Sequence, residues 1–423
     1  MISTLLIIIF VLGYVAIAFE HPLKINKAAP ALITGVLCWT VYILQSDSAP
    51  TVGEELLHHL GEIASILFFL LGAMTIVELI DSHSGFDIIT QKINTTSKST
   101  LLLIIATLTF FLSALLDNLT TAIVMTSLCS KLLSEKEDRL WFAGLVVIAA
   151  NAGGAWSPLG DVTTTMLWIG GQITALNIMK QLILPSLAAC LVPTLIIAYR
   201  FRGKKINVTD VQDSSEKEKR DGRIILFAGI GFLVFVPVFK TITHLPPFMG
   251  MLLALGFMWI ITTIIHKNKR QDIAEKYTVA TALQKVDSPS ILFFLGILLA
   301  VAALQSFGLL KIMATFLSNT LNNDYLIGIS LGLLSAIVDN VPLVAASQGM
   351  YELSVYPTDH PFWEFLALTT GTGGSAIIIG SAAGVAVMGI EHIDFMWYLK
   401  KIGWLALTGF VAGIAVFLLQ MQF

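Results

Sequence analysis

The feature that most restricts the fold of this chain is a series of apolar runs, each about as long as a lipid bilayer is thick. A transmembrane helix needs about 20 mainly apolar residues. Charged residues make up only 13% of the 423 residues, against about 25% in ordinary soluble domains. The sequence therefore predicts an all-α polytopic membrane protein, with runs near 2–19, 28–45, 62–80, 100–134, 140–175, 180–199, 223–240, 247–266, 288–306, 325–350, 362–390 and 402–421.

Three short segments of the first half return, in the same order, in the second half. The matching pairs are Ser65–Leu70 with Ser290–Leu295, Ser113–Asn118 with Ser335–Asn340, and the glycine pair 153–154 with 373–374. Three matches in one order indicate a duplication. We therefore predict a first repeat over 1–199, a linker over 200–223 and a second repeat over 224–423.

The charges of the loops predict how the two repeats are oriented. We assume that each repeat has about five transmembrane helices, one re-entrant hairpin (100–134 or 325–350) and a broken helix. With both termini outside, the linker and its neighbouring loops are cytoplasmic and contain all of the 25 Lys and Arg residues except Lys180, Lys240 and Lys311. This is the cytoplasmic excess that sets membrane orientation. An odd number of crossings inverts the second repeat, as in many secondary transporters.

Each predicted hairpin carries an Asp-Asn pair in the middle of an apolar segment. The pairs are Asp117-Asn118 and Asp339-Asn340. An ionised carboxylate at that depth costs several kcal/mol unless it is paired or solvated. We expect the pairs at the hairpin tips, where exposed backbone must line protein or water. The alternative is that Asp and Asn only form the turn.

Two further segments combine glycine with hydroxyl, amide or acidic side chains. They begin at Asn151 and Thr370, and the first continues through Asp161. Such clusters break a helix, and the freed carbonyls and half-helix ends can bind a small cation. The oxygen ligands expected there are Asn151, Asp161, Thr163, Thr164, Thr372 and Ser375. The alternative for the glycine pair 153–154 is a close helix contact.

The charge of the substrate follows from these segments, which contain Asp117, Asp161 and Asp339 but no Lys or Arg. Acids without bases favour a cation, and burial disfavours the charged form of a carboxylate. One acid could therefore exchange a proton for Na⁺. We predict that Glu62, Glu78 and Asp81 belong to a proton path or to a pH sensor. The alternative for Glu62 is that its carboxylate only complements the N-terminus of a helix.

Cofactors and other partners are not indicated by the sequence. The three cysteines stand alone, and the histidines are not spaced for a shared metal. The basic residues form no stripe, so nothing in the sequence suggests a nucleic-acid partner. An intramembrane hydrolase would need a nucleophile with a base, or a metal pair such as HExxH, and neither motif is present. We therefore expect no resident cofactor and no enzymatic activity.

Four motifs resemble those of NhaD-type sodium/proton antiporters of the ion transporter superfamily: SALLDNLTTAIVM, NAGGAWSPLGDVTTTMLWIGGQ, SAIVDNVPLVAAS and GTGGSAIIIGSAAGVAVMG. The resemblance implies a homodimer in a bacterial inner membrane; the periplasmic position of both termini is predicted from the charges of the loops. It implies scaffold and transport domains drawn from both repeats, and elevator-type exchange of Na⁺ or Li⁺ for H⁺. The implied functional residues are Asp117, Asn118, Asn151, Asp161, Thr163, Thr164, Ser335, Asp339 and Asn340, with Glu62 as a weaker candidate.

Related members of that superfamily carry dicarboxylates or arsenite on a similar scaffold. The alternative function is therefore an anion or arsenite carrier on the same fold.

Overall fold

The computed structural model describes residues 2–46, 48–86, 95–206, 216–267, 277–337 and 339–422. Within these ranges the chain forms helices joined by loops, and an isolated β-bridge pairs Ser97 with Lys205. The predicted all-α fold is confirmed.

The helices are numbered here in chain order. The first half contains α1 (Ile2–Ala18), α2 (Glu20–Leu23), α3 (Ala28–Gln45), α4 (Ala49–Ser82), α5 (Lys98–Leu116), α6 (Asn118–Leu132), α7 (Lys136–Ala155), α8 (Val162–Ile169) and α9 (Ala175–Arg200). The second half contains α10 (Glu216–Thr243), α11 (Pro247–His266), α12 (Val279–Lys285), α13 (Ser288–Ser306), α14 (Leu309–Leu321), α15 (Asp324–Leu334), α16 (Asn340–Met350), α17 (Pro361–Gly373), α18 (Ala382–Glu391), α19 (Phe395–Tyr398) and α20 (Trp404–Gln420). A 3₁₀ turn covers Ile378–Gly380, and a π-helical turn covers Leu399–Gly403.

Eight helical segments of the described residues are long and apolar enough to cross a membrane. They are Ala28–Gln45, Ala49–Ser82, Lys98–Leu116, Ala175–Arg200, Arg220–Thr243, Pro247–His266, Ser288–Ser306 and Phe395–Gln420. The multi-pass character expected from the apolar runs is confirmed by this set.

Two bounds differ from the sequence prediction. α4 begins at Ala49, so Glu62 lies within a helix and does not complement its N-terminus. The interpretation of Glu62 as a helix-terminal charge is therefore wrong. The hydrophilic stretch 200–223 was predicted as a linker, but α9 extends to Arg200 and α10 begins at Glu216. Residues 207–215 of that stretch lie outside the described part of the chain.

Both helices that were predicted to break do so at their glycine clusters. α7 ends at Ala155 and α8 starts at Val162, whereas α17 ends at Gly373 and α18 starts at Ala382. Asp161 caps α8 with φ −147° and ψ 148°, and Ser381 caps α18 with φ −146° and ψ 152°. The two breaks share their backbone geometry as well as their glycine pairs.

The helices pack in two groups. In the first group α3 contacts α1 and α13, and α4 contacts α11 and α13. In the second group α7 contacts α5, α6 and α18, and α17 contacts α15 and α20. α16 contacts α13 of the first group and α8 and α17 of the second. The division into inverted repeats stays a prediction.

Candidate functional site

Three carboxylates lie at the N-terminal ends of helices. Asp117 precedes α6, Asp161 precedes α8 and Asp339 precedes α16, and each accepts a hydrogen bond from a backbone N–H of its own helix. A carboxylate in this position satisfies an unpaired amide and interacts favourably with the helix dipole. Both acids of the Asp-Asn pairs therefore form helix caps.

Asp117 has an unusual backbone. Its φ is 71° and its ψ is 157°, a region that is almost restricted to glycine and costs about 1–3 kcal/mol for other residues. Its two carboxylate oxygens accept hydrogen bonds of 2.8 Å from the amide and the hydroxyl of Thr120. These two bonds hold the strained residue between α5 and α6, with its side chain turned toward the start of α6.

The Asp161 carboxylate is the point where both Asp-Asn pairs meet. Its Oδ2 accepts a hydrogen bond from Asn118 Nδ2 over 3.2 Å and from Asn340 Nδ2 over 3.1 Å. Its Oδ1 accepts from the Thr163 amide over 3.2 Å. Asn118, Asp161 and Asn340 are therefore in direct contact.

Asn151 extends this network toward the second broken helix. Its Oδ1 accepts a hydrogen bond from Asn118 Nδ2 over 3.0 Å. Its Nδ2 donates to Ser375 Oγ and to Ser381 Oγ, each over 2.9 Å. One amide side chain, fully buried, thus connects the two helix breaks through neutral hydrogen bonds.

A small cavity lies between the three carboxylates. It has a volume of about 30 Å³, and a cavity needs roughly 10–15 Å³ of such volume to hold one water molecule. Its lining includes Asp117, Asn118, Asp161, Asp339, Asn340 and Ser290, together with Phe294 and other apolar side chains. The space fits a small ion or a water molecule, and the described lining is too tight for a larger solute.

Comparison with known proteins gives a consistent assignment. The citrate transporter family profile matches residues 14–371. The chain is 48% identical to sodium/proton antiporter 1 of Arabidopsis thaliana, over 97% of this chain and 71% of that protein. It is 32% identical to the Na⁺/H⁺ antiporter NhaD of Vibrio cholerae, over 98% of this chain and 91% of that protein. The chain belongs to the NhaD-type antiporter family.

A solved structure supports the fold of this NhaD-type chain. The YdaH transporter of Alcanivorax borkumensis superimposes with a TM-score of 0.55, covering 100% of this chain and 98% of that one. The sequence identity is 12%, so the similarity concerns the architecture alone.

The hydroxyls predicted as ligands in the NhaD-type chain divide into two kinds. Thr163 Oγ1 is buried and has no hydrogen-bond partner among the described residues. The hydroxyls of Thr164, Ser335 and Thr372 instead donate to the backbone carbonyls of Asp161, Thr370 and Leu368. These three hold helices in place, whereas the Thr163 hydroxyl makes no such bond to a backbone carbonyl.

Two glycines set how closely the broken helices approach the predicted hairpins. A Cβ on Gly153 would lie 2.2 Å from the Phe110 carbonyl oxygen, and one on Gly373 would lie 2.0 Å from that of Gly332. No side chain fits in either place. The alternative of a close helix contact is therefore correct for Gly153, and it coexists with the polar network around Asp161.

Sequence reasoning missed a lysine at the site. Lys27 Nζ lies 3.1 Å from Asp339 Oδ2, so the expectation of acids without bases is wrong for the folded NhaD-type protein. Sequence reasoning also left Ser381 out of the ligand set, although it follows Gly374 at the same distance as Asp161 follows Gly154. That spacing was the signal that could have identified it.

The remaining predicted acids lie elsewhere. Glu62 is mostly exposed and contacts His59 Nδ1 over 3.3 Å, and it lines a separate cavity of about 390 Å³ with His59 and three glutamines. Its carboxylate and the rings of His58 and His59 present ligand atoms within 4.8 Å of one another. Glu78 accepts from Lys285 Nζ over 2.8 Å, and Asp81 lies in the last turn of α4. None of these three acids lines the small cavity.

Proposed function

We propose that this protein is a secondary sodium/proton antiporter that exchanges Na⁺, or Li⁺, for H⁺. The observation that carries the proposal is the convergence of Asp117, Asp161 and Asp339 on one cavity of about 30 Å³. The names of the plant and bacterial relatives, which describe sodium/proton antiporters, support the same function.

The chemistry of the cavity suits this exchange. Carboxylate, amide and hydroxyl oxygens are hard ligands that favour small hard cations. A carboxylate that binds Na⁺ must be deprotonated, and one that takes a proton loses the charge that holds Na⁺. One group can therefore serve both ions at different stages of the cycle. In this proposal Na⁺ and H⁺ are transported substrates. Asn118 and Asn340 orient the carboxylate of Asp161, and Asn151 holds Asn118.

The same proposal includes an elevator-type movement. The group of α5, α6, α7, α15, α17, α18 and α20 would form the transport domain, and the group of α1, α3, α4, α11 and α13 the scaffold domain. Packing of the helices into two groups that meet around Asp339 supports this division. We also propose that the scaffold forms a homodimer, as the family resemblance implies.

We further propose that the protein lies in a bacterial inner membrane with both termini periplasmic and the 200–223 stretch cytoplasmic. Support comes from the concentration of Lys and Arg in the loops assigned to the cytoplasm. A cysteine placed at Lys204, which is exposed, should be protected in intact cells and labelled after permeabilisation. Labelling from outside in intact cells would contradict this orientation.

An anion carrier is the second candidate, favoured by two observations. The matching family profile is described as a citrate transporter, and Lys27 brings a positive charge to the site. Its charge, however, is paired with Asp339, and no Lys or Arg contacts Asp117 or Asp161 among the described hydrogen bonds and ion pairs. The small cavity, with acids on several sides, favours a monoatomic cation over a tricarboxylate.

The test is proton movement in proteoliposomes that contain the purified protein and a pH-sensitive dye. Adding NaCl or LiCl to the outside should release protons from the acidic interior, whereas choline chloride should not. Citrate should neither be accumulated nor change the signal. Citrate uptake without a Na⁺-dependent proton flux would replace the proposed function by the anion carrier.

A further inference from the structure

Lys27 and Asp339 form an ion pair at the edge of the cavity. Lys27 Nζ lies 3.1 Å from Asp339 Oδ2, and the two side chains are 18% and 12% exposed. The same ammonium lies 4.3 Å from the centre of the Phe293 ring, a distance at which a cation is attracted to the aromatic face. The Lys27 ammonium is thus held by the Asp339 carboxylate and by the Phe293 ring.

The pairing distinguishes Asp339 from the other two cavity acids. Asp117 accepts from the amide and hydroxyl of Thr120. Asp161 accepts from two asparagine side chains and a backbone amide. These donors are neutral. Among the described residues, the ammonium of Lys27 is the charged donor to a carboxylate of this cavity.

Lys27 precedes a helix of the first group, whereas Asp339 precedes α16, which contacts both groups. Lys27 immediately precedes α3, which packs on α1 and α13, and its backbone amide donates to Glu20 Oε1 over 3.1 Å. Asp339 immediately precedes α16 and accepts from the Val341 amide over 3.3 Å. The backbone of Lys27 is therefore fixed at the start of α3. Its flexible four-carbon stem allows the ammonium to reach or leave Asp339.

We propose that the Lys27 ammonium is a tethered competitor of the transported cation: it occupies Asp339 when the cavity is empty and leaves when Na⁺ binds. This inference rests on the proposed function. Two monovalent cations at one carboxylate repel each other strongly away from water, so Na⁺ can use Asp339 only after Lys27 has withdrawn. When no Na⁺ is bound, Lys27 neutralises the Asp339 carboxylate, because an unpaired charge inside the protein would be costly.

Competition predicts that removing the ammonium strengthens Na⁺ binding. Lys27→Met keeps most of the apolar stem beside Phe293, and Lys27→Gln keeps a neutral hydrogen-bond donor. Both variants should lower the Kd for Na⁺ roughly tenfold or more, because a hydrogen bond between charged groups no longer competes with the ligand. Lys27→Arg keeps the charge and should stay within about twofold of the wild type.

The measurement is calorimetric titration of Na⁺ into the purified full-length protein at one pH, with choline chloride keeping the ionic strength constant. Lys311→Gln is the matched control. It also removes one positive charge from an ion pair, since Lys311 Nζ lies 3.3 Å from Glu352 Oε1, but that pair is 80% and 64% exposed. The Kd of the Lys311→Gln variant should equal the wild-type value. The comparison therefore separates the effect of a changed net charge from competition at Asp339.

The outcomes distinguish this inference from the proposed function. If the wild-type protein neither binds Na⁺ nor exchanges it for protons in proteoliposomes, the proposed function fails. If the wild type exchanges the ions but Lys27→Met and Lys27→Gln bind Na⁺ no more tightly than it does, Lys27 only supports Asp339. The proposal that Lys27 competes with Na⁺ is then wrong, and the proposed antiport function is unaffected.

Discussion

Asn340 Nδ2 donates a hydrogen bond to Asp161 Oδ2 over 3.1 Å and joins residues 179 positions apart in the chain. Asn118 donates to the same oxygen, which leaves Oδ2 with its two lone pairs occupied. Oδ1 accepts one bond, from the Thr163 amide. A carboxylate oxygen can accept about two hydrogen bonds, so Oδ1 is the oxygen of Asp161 with a free position for a cation or a proton.

Neutralising each cavity acid should abolish exchange. We expect Asp117→Asn, Asp161→Asn and Asp339→Asn to insert normally and to lose Na⁺-dependent proton flux, because Asn cannot exchange a proton for a cation. Flux in proteoliposomes and protein yield in the membrane are the measurements. Asp394→Asn is the control, since Asp394 caps α19 on the surface. Near-normal flux in any of the three variants would remove that acid from the mechanism.

The asparagine donors should matter through Asp161. We expect Asn118→Ala and Asn340→Ala to weaken Na⁺ binding roughly tenfold, because each neutral amide donor stabilises the ionised form of Asp161 that Na⁺ needs and holds that carboxylate in place. Calorimetric titration of Na⁺ measures the loss. Unchanged affinity in both variants would show that Asp161 is oriented without the two amides.

Thr163 offers a test of a single oxygen. Thr163→Val replaces a buried hydroxyl that lacks a partner among the described residues by a methyl group of similar shape, so the thermal stability without Na⁺ should not fall. Na⁺ affinity should fall, because a cation would lose an oxygen ligand, and Thr163→Ser should retain it. Equal affinity in the Val and Ser variants would exclude the hydroxyl as a ligand.

The most polar parts of the site were predictable from the sequence for an energetic reason. Asp117, Asp161 and Asp339 stand in apolar segments where a carboxylate is costly, so their positions in the sequence are enough to indicate a role. Asn118 and Asn340 were identified as the neighbours of Asp117 and Asp339 in the repeated Asp-Asn pairs. The positions of the helix breaks were predicted from the glycine clusters, because glycine is unfavourable in the interior of a helix.

Other parts of the site depend on contacts that the sequence does not display. Thr164, Ser335 and Thr372 look like ligands in a polar cluster. The hydroxyls of Thr164 and Thr372 instead donate to a carbonyl three or four positions earlier, and that of Ser335 donates to the Thr370 carbonyl of another helix. Lys27 looks like an ordinary loop lysine. Its contact with Asp339, 312 positions away, arises only when α3 and α16 are brought together by tertiary packing.

Helix approach at Gly373 should be intolerant of any side chain. We expect Gly373→Ala to destabilise the protein by at least about 1–3 kcal/mol, the usual cost of overpacking, because the new Cβ would meet the Gly332 carbonyl at 2.0 Å. Thermal unfolding in detergent gives the change in Tm. Gly389→Ala is the matched control, since no atom lies within 4 Å of its added Cβ. Equal Tm values for the two variants would contradict the close contact.

The last prediction concerns the pH dependence of Na⁺ binding. If Na⁺ and H⁺ share the cavity carboxylates, protonation removes the charge that holds Na⁺, and by linkage Na⁺ binding favours loss of the proton. Apparent Na⁺ affinity should therefore fall as pH falls. For a site that takes one proton, the fall is about tenfold per pH unit below the pKa of the governing carboxylate, and the affinity levels off above it.

A separate pH sensor would produce a different result. A group outside the cavity, such as Glu78 or Asp81, would change the maximal rate at constant affinity, because its protonation does not alter the charge that Na⁺ meets. Measuring exchange against Na⁺ concentration at several pH values separates the two cases. If the half-saturating Na⁺ concentration does not change with pH while the maximal rate does, the proton is not taken by Asp117, Asp161 or Asp339, and the shared-carboxylate mechanism is wrong.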